Sequence, residues 1–112
     1  MQRRPRAKDE AHLKFIRSLP CLTCGNDIET EAAHIRMLDR SVAKPMTGIA
    51  TKCDDRFTVP LCGRCHRSQH DAGNEHEWWL FWRIDPIKTA LALWSVQYDY
   101  ERGLQIVQAV HD

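Results

Sequence analysis

The sequence predicts an α+β domain stapled by a metal ion, and three observations carry that prediction. The chain has 112 residues, 43 % hydrophobic and 28 % charged, which is the size and balance of one globular domain whose core is small enough to need a staple. Two Cys-x-x-Cys pairs, Cys21 with Cys24 and Cys62 with Cys65, supply ligands for one. Two short strand candidates lie among segments with helical spacing of apolar residues. A repeat array and a two-domain enzyme are excluded at this length. No apolar run approaches the roughly 18 residues of a membrane span, and the basic start MQRRPRAKDE leads into no apolar stretch of the secretory kind. A cytosolic setting is therefore expected, where thiols stay reduced and clustered cysteines point to a metal rather than to disulfides.

Taken in order, residues 1–8 carry Arg3, Arg4, Arg6 and Lys8 around Pro5 and read as a flexible basic arm ahead of a single domain over 9–112. Leu13, Phe15, Ile16 and Leu19 share a helix face that Pro20 ends. Cys21–Asn26 reads as a tight turn in which Gly25 supplies unusual backbone geometry. Residues 30–36 form a strand candidate ending near His34, and residues 37–55 read as a long functional loop. Residues 57–61 are β-branched and aromatic, a second strand that Pro60 is expected to end. Gly63 to about Asp71 reads as a helix stopped at Gly73, and Asn74 caps the next one. Asp85-Pro86 starts a final helix through Leu91, Leu93, Trp94 and Tyr98, so the C-terminal helices span about 75–110. Trp78, Trp79, Trp82 and Trp94 read as core; stacking on bases is the other reading.

Charge is unevenly placed. Residues 1–70 hold 13 Lys and Arg against 8 Asp and Glu, whereas residues 71–112 hold 3 against 7, so a net +5 precedes a net −4. A polyanion-facing side is one reading and ordinary solvated charge is the other.

Two constellations carry chemistry. A two-residue gap lets both thiolates of one turn reach one ion, and two such turns complete a tetrahedral shell, so Cys21, Cys24, Cys62 and Cys65 read as a structural zinc site. A redox dithiol is the competing reading, and Cys53 is left as a spare thiol. The second constellation is His66-x-x-x-His70, with His34 upstream in the strand candidate. Histidines four apart share a helix face and can turn both rings to one ion, although such pairs also occur as plain surface residues.

The run Ala33-His34-Ile35, then Val59-Pro60-Leu61-Cys62-Gly63-Arg64-Cys65-His66 and His70, resembles the HNH, or ββα-metal, endonuclease superfamily. With Lys44-Pro45 and Gly48 it is similar to small prophage-encoded nucleases and to the recombination-enhancement branch called Ref. The resemblance covers about residues 21–82. It implies a zinc-stapled ββα-metal core with flanking helices, in a metal-dependent DNA endonuclease encoded by a bacterium or phage. It implies His34 as the general base for water, and His66 and His70 as holders of a catalytic divalent ion: Mg²⁺, Mn²⁺, Ni²⁺ or Zn²⁺. Arg36, Arg40, Lys44, Lys52, Arg56, Arg64 and Arg67 are its expected phosphate contacts, and DNA and a RecA-like recombinase filament its expected partners.

Two positions depart from the family pattern. Ala33 stands where an acidic or histidine ligand is common, and Phe57 falls near the middle asparagine. Asp55, two residues before Phe57 in an extended segment, is the candidate replacement ligand, with loop capping as its other reading. A non-catalytic zinc module that binds nucleic acid or protein is the alternative function.

Overall fold

A computed structural model describes residues 9–36 and 55–111. The elements are α1 (Glu10–Arg17), β1 (Thr30–His34), β2 (Thr58–Cys62), α2 (Gly63–Ala72), α3 (Glu75–Trp82), α4 (Pro86–Ser95) and α5 (Tyr100–Ala109). The expected α+β class is observed. The basic arm, and within the 37–55 loop everything before Asp55, fall outside the described residues.

β1 and β2 pair antiparallel, from Thr30 opposite Cys62 to His34 opposite Thr58. Two strands alone are marginal in water, so this sheet depends on what covers it. All five residues of β2 are buried, and because successive side chains point to opposite faces, both faces of β2 must be covered. Helices α1, α2 and α4 pack against it. Pro60 does not end the strand: it sits mid-strand opposite Ala32, and its carbonyl accepts from the Leu22 N–H at 2.8 Å. A proline fits there because a two-stranded sheet leaves β2 an outer edge whose N–H positions need no ladder partner.

In α1, Asp9 caps the helix by accepting from the His12 N–H at 3.0 Å. The buried face is His12, Phe15 and Ile16, continued by Leu19, an i, i+3, i+4, i+7 stripe. Leu13, expected on that stripe, is only half-buried, and His12 occupies the inward position instead. Its ring meets Trp94 edge-on at 4.8 Å between centroids, and neither ring nitrogen has a hydrogen-bond partner.

The last helix of the sequence reading divides in two. α4 ends at Ser95, and Asp99 caps a separate α5 by accepting from the Arg102 N–H at 3.1 Å. α5 crosses close to α1 at Gly103: a Cβ there would lie 2.7 Å from Phe15 Cζ and 3.2 Å from Leu19 Cδ2. The far end returns to the first cysteine turn, where His111 Nε2 donates to the Leu22 carbonyl at 2.7 Å. Trp78 and Trp79 are buried, as the core reading expected, and Trp82 and Trp94 are half-buried.

Two outcomes follow from this packing. Gly103→Ala gains helix propensity but forces Phe15 and Leu19 apart, and overpacking of this kind costs about 1–3 kcal/mol. The variant is expected to melt several degrees below wild type in a calorimetric scan. Burial pushes the His12 imidazole below its ordinary 6.5, with Asp9 and Asp55 pulling partly back. The unfolded chain therefore takes up a proton that the folded chain refuses, so stability is full above about pH 6.5 and is lost as pH falls through the lower folded value. His12→Leu is expected to flatten the decline in denaturation midpoint between about pH 7.5 and about pH 5.

Candidate functional site

The first cysteine pair sits on the turn after α1. Cys21 N–H donates to Asn26 O at 2.8 Å and Gly25 N–H to Cys21 O at 3.0 Å, a tight reversal that needs the left-handed Gly25, φ +80°. The second pair spans the β2–α2 junction, Cys62 closing the strand and Cys65 lying in the first helical turn. The Leu22–Pro60 hydrogen bond and the strand ladder bring the two turns together. All four Sγ atoms lie within 4.8 Å of one another, and Cys24 Sγ is 3.7 Å from Cys62 Sγ. Zinc–sulfur bonds of about 2.3 Å in a tetrahedron require sulfurs about 3.8 Å apart, so the cluster fits such an ion. These four cysteines can hold a metal such as zinc.

The thiols reinforce this. Burial raises Cys21, but N–H groups of Cys24, Cys62 and Thr23 and the Thr23 hydroxyl, 3.3 Å from Sγ, outweigh it and bring Cys21 down to about 6. Cys65 is pushed up to about 12, by burial first and then by the charge of Cys21. Cys24 is likewise raised, mainly by burial. Burial and, after it, the charge of Cys21 disfavour the thiolates of Cys24 and Cys65, and a cation in their midst would offset both. Thr23, overlooked in the sequence, is part of this arrangement; its signal was its place between the two cysteines.

The histidines form two pairs. His34 ends β1, and its Nε2 lies 2.8 Å from Asp55 Oδ1. A carboxylate only accepts, so Nε2 carries the proton, and in the neutral ring Nδ1 is the nitrogen with the lone pair. Asp55 is nearly buried, and its other oxygen accepts the Asp9 N–H at 2.8 Å. Both carboxylate oxygens are thereby engaged. The Thr58 hydroxyl fixes the same turn by donating to Asp55 O at 2.9 Å. On α2, the rings of His66 and His70 meet edge-on at 4.8 Å, as their spacing predicts. His66 Nδ1 donates to Glu31 Oε1 at 2.7 Å. Glu31 escaped the sequence reading, although it is the single carboxylate of β1 and lies opposite Leu61, beside the strand–helix junction.

Among the described residues, the four cysteines are the only group of three or more His, Cys, Asp or Glu side chains gathered closely enough to hold an ion. The side chains of His34, Asp55, His66 and His70 are not gathered in that way. Of the expected phosphate contacts, Arg36, Arg64 and Arg67 are exposed, and Arg56 lies half-buried over the Phe57 ring at 5.7 Å. Arg40, Lys44 and Lys52, together with Cys53, lie outside the described residues. No described helix is long and apolar enough to cross a membrane.

Residues 2–86 match the family described as "Protein of unknown function (DUF968)". The chain belongs to that family. The match takes in both cysteine pairs, His34, Asp55, His66 and His70 and stops at the first residue of α4. No curated protein and no solved structure matches the chain.

Loss of one sulfur should break the cluster. Cys65→Ser is expected to reduce bound zinc, measured by atomic emission on purified protein, from stoichiometric to a small fraction. The folding transition should collapse with it, because binding free energy of about 10 kcal/mol is released only on folding.

Proposed function

We propose that this chain is a metal-dependent DNA endonuclease of the HNH type, hydrolysing phosphodiester bonds with the cysteine cluster as a structural zinc. The observation that carries the reading is the His34–Asp55 pair. A general base needs one ring nitrogen anchored and the other open, and Asp55, fixed by the Asp9 N–H on its second oxygen, anchors Nε2. Asp55 thus has a positioning task in place of the ligand task that the sequence suggested for it.

In this mechanism Nδ1 of His34 takes the proton of an attacking water, and the imidazolium that forms is stabilised by the Asp55 carboxylate. His66 and His70 suit a borderline divalent ion, being two imidazoles on one face of a ten-residue helix, one of them already paired to a carboxylate. When bound there, that ion supplies charge neutralisation at the phosphate and at the departing 3′ oxygen. Arg64 and Arg67 on α2 and Arg36 just beyond β1 bind flanking phosphates without reading bases, which makes affinity salt-dependent and largely sequence-independent. The zinc takes no part in the reaction, since four thiolates leave it no open position.

His34→Ala is expected to lower cleavage of plasmid DNA by about 10²–10⁴-fold, with bound zinc and the melting transition retained. Asp55→Asn offers one acceptor where two donors converge, so it is expected to show an intermediate loss. The assay runs with Mg²⁺, Mn²⁺ or Ni²⁺, on naked plasmid and on a displacement loop carrying a recombinase filament. Wild type that binds DNA but cuts neither substrate would return the chain to the class of zinc-stabilised binding modules.

A further inference from the structure

The geometry points to Glu31 as the positioning residue for His66: its carboxylate fixes the imidazole in the tautomer whose Nε2 is free to take a divalent cation. This rests on the proposal that α2 holds such an ion, and adds to it a residue that neither the sequence spacing nor the family match assigns.

Three features set this contact apart from an ordinary surface ion pair. It is short, 2.7 Å between Oε1 and Nδ1, and it joins groups 35 residues apart whose backbones are both held, Glu31 in the strand ladder and His66 in the first turns of α2. A carboxylate bonded to one imidazole nitrogen keeps the proton on that nitrogen and raises the basicity of the other, which is how metal-binding histidines are commonly supported. The Glu31 carboxylate also occupies a space kept open for it. Gly63, the first residue of α2, has no side chain, and a Cβ there would lie 3.3 Å from Glu31 Oε2 and 3.3 Å from Arg67 Nη1.

The surroundings suit a charged acceptor. The carboxylate lies beside the first residue of α2, where the partial positive charge of a helix start is greatest, and the Arg67 guanidinium reaches the same spot. His66 itself is partly open, its side chain 24 % exposed, and His70 on the next turn is exposed. A cation can therefore approach from solvent and meet the Nε2 lone pair of His66 with the second imidazole beside it.

The experiment uses the full chain with zinc already on its cysteines and cobalt(II) as the probe, since cobalt takes imidazole readily but does not displace zinc from thiolates. Long-range ¹H–¹⁵N spectra report the tautomers of His66 and His70, and the paramagnetic shifts during titration report binding and its affinity. Wild type is expected to show His66 protonated on Nδ1 and to bind cobalt at His66 and His70. Glu31→Ala should lose that tautomer and bind about 10–100-fold more weakly. Glu31→Gln, whose amide oxygen still accepts from Nδ1–H, should retain the tautomer and most of the affinity. Gly63→Ala, which crowds the carboxylate, should fall between wild type and Glu31→Ala. If Glu31→Ala melts lower but keeps the tautomer and the cobalt affinity, Glu31 only braces the helix start and the inference is overturned, while the ion site stands. If wild type shows no cobalt effect at His66 or His70, the ion site itself is refuted, and the role of Glu31 with it.

Discussion

Where β2 passes into α2, the backbone of Cys62 and Cys65 is brought against the Cys21–Cys24 turn, and four sulfur atoms meet within 4.8 Å. The rest of the described fold depends on that meeting. A two-stranded sheet of five residues per strand has little stability of its own, and the helices that cover it come from both ends of the chain. Cys21 is brought down by the N–H groups around it while burial, and then the Cys21 charge, pushes Cys65 up, an imbalance that a cation among the sulfurs would relieve. Fixing that junction fixes the start of α2, and with it the direction in which the two helix imidazoles face.

The histidine chemistry is held by a different kind of support. Two of the three candidate imidazoles lean on a carboxylate from elsewhere in the chain, His34 on Asp55 and His66 on Glu31. These carboxylates are themselves placed by backbone, Asp55 through the N–H of Asp9 at the cap of α1 and Glu31 through the strand ladder. The cap residue extends the chain of contacts further, because the Tyr98 hydroxyl donates to Asp9 Oδ2 at 2.9 Å. Through this contact the segment between α4 and α5 is tied to the cap that holds Asp55.

The parts of this that were legible in the sequence are those with a local signature. The cysteine spacing, the Asn74 and Asp85 caps, the Gly25 turn and the histidines of α2 each follow from residues within a few positions of one another, and the structure places them as expected. What escaped depends on partners far away in the chain. His12 reads as polar and was passed over for Leu13, yet Trp94 gives it an apolar wall. Glu31 has no motif, and its meaning appears only when α2 folds back beside β1. Pro60 looks like a strand terminator until the sheet is seen to have an outer edge at that position. The break between α4 and α5 was hidden because Val96 to Tyr98 continue the apolar pattern, while the Asp99 cap that starts a new helix lies just beyond them.

The contact between His34 and Asp55 also closes a gate in the chain. Ile35 N–H donates to Phe57 O at 2.8 Å, so the backbone leaves the sheet at Arg36 and re-enters at Asp55 across a span already tied at its base. Doubling the length of a segment so anchored costs only about 0.6 kcal/mol in closure entropy. A change of length between Arg36 and Asp55 is therefore cheap in closure entropy, while the ties at its base hold the imidazole. The His34–Asp55 contact thus sets the two ends of the intervening chain independently of its length.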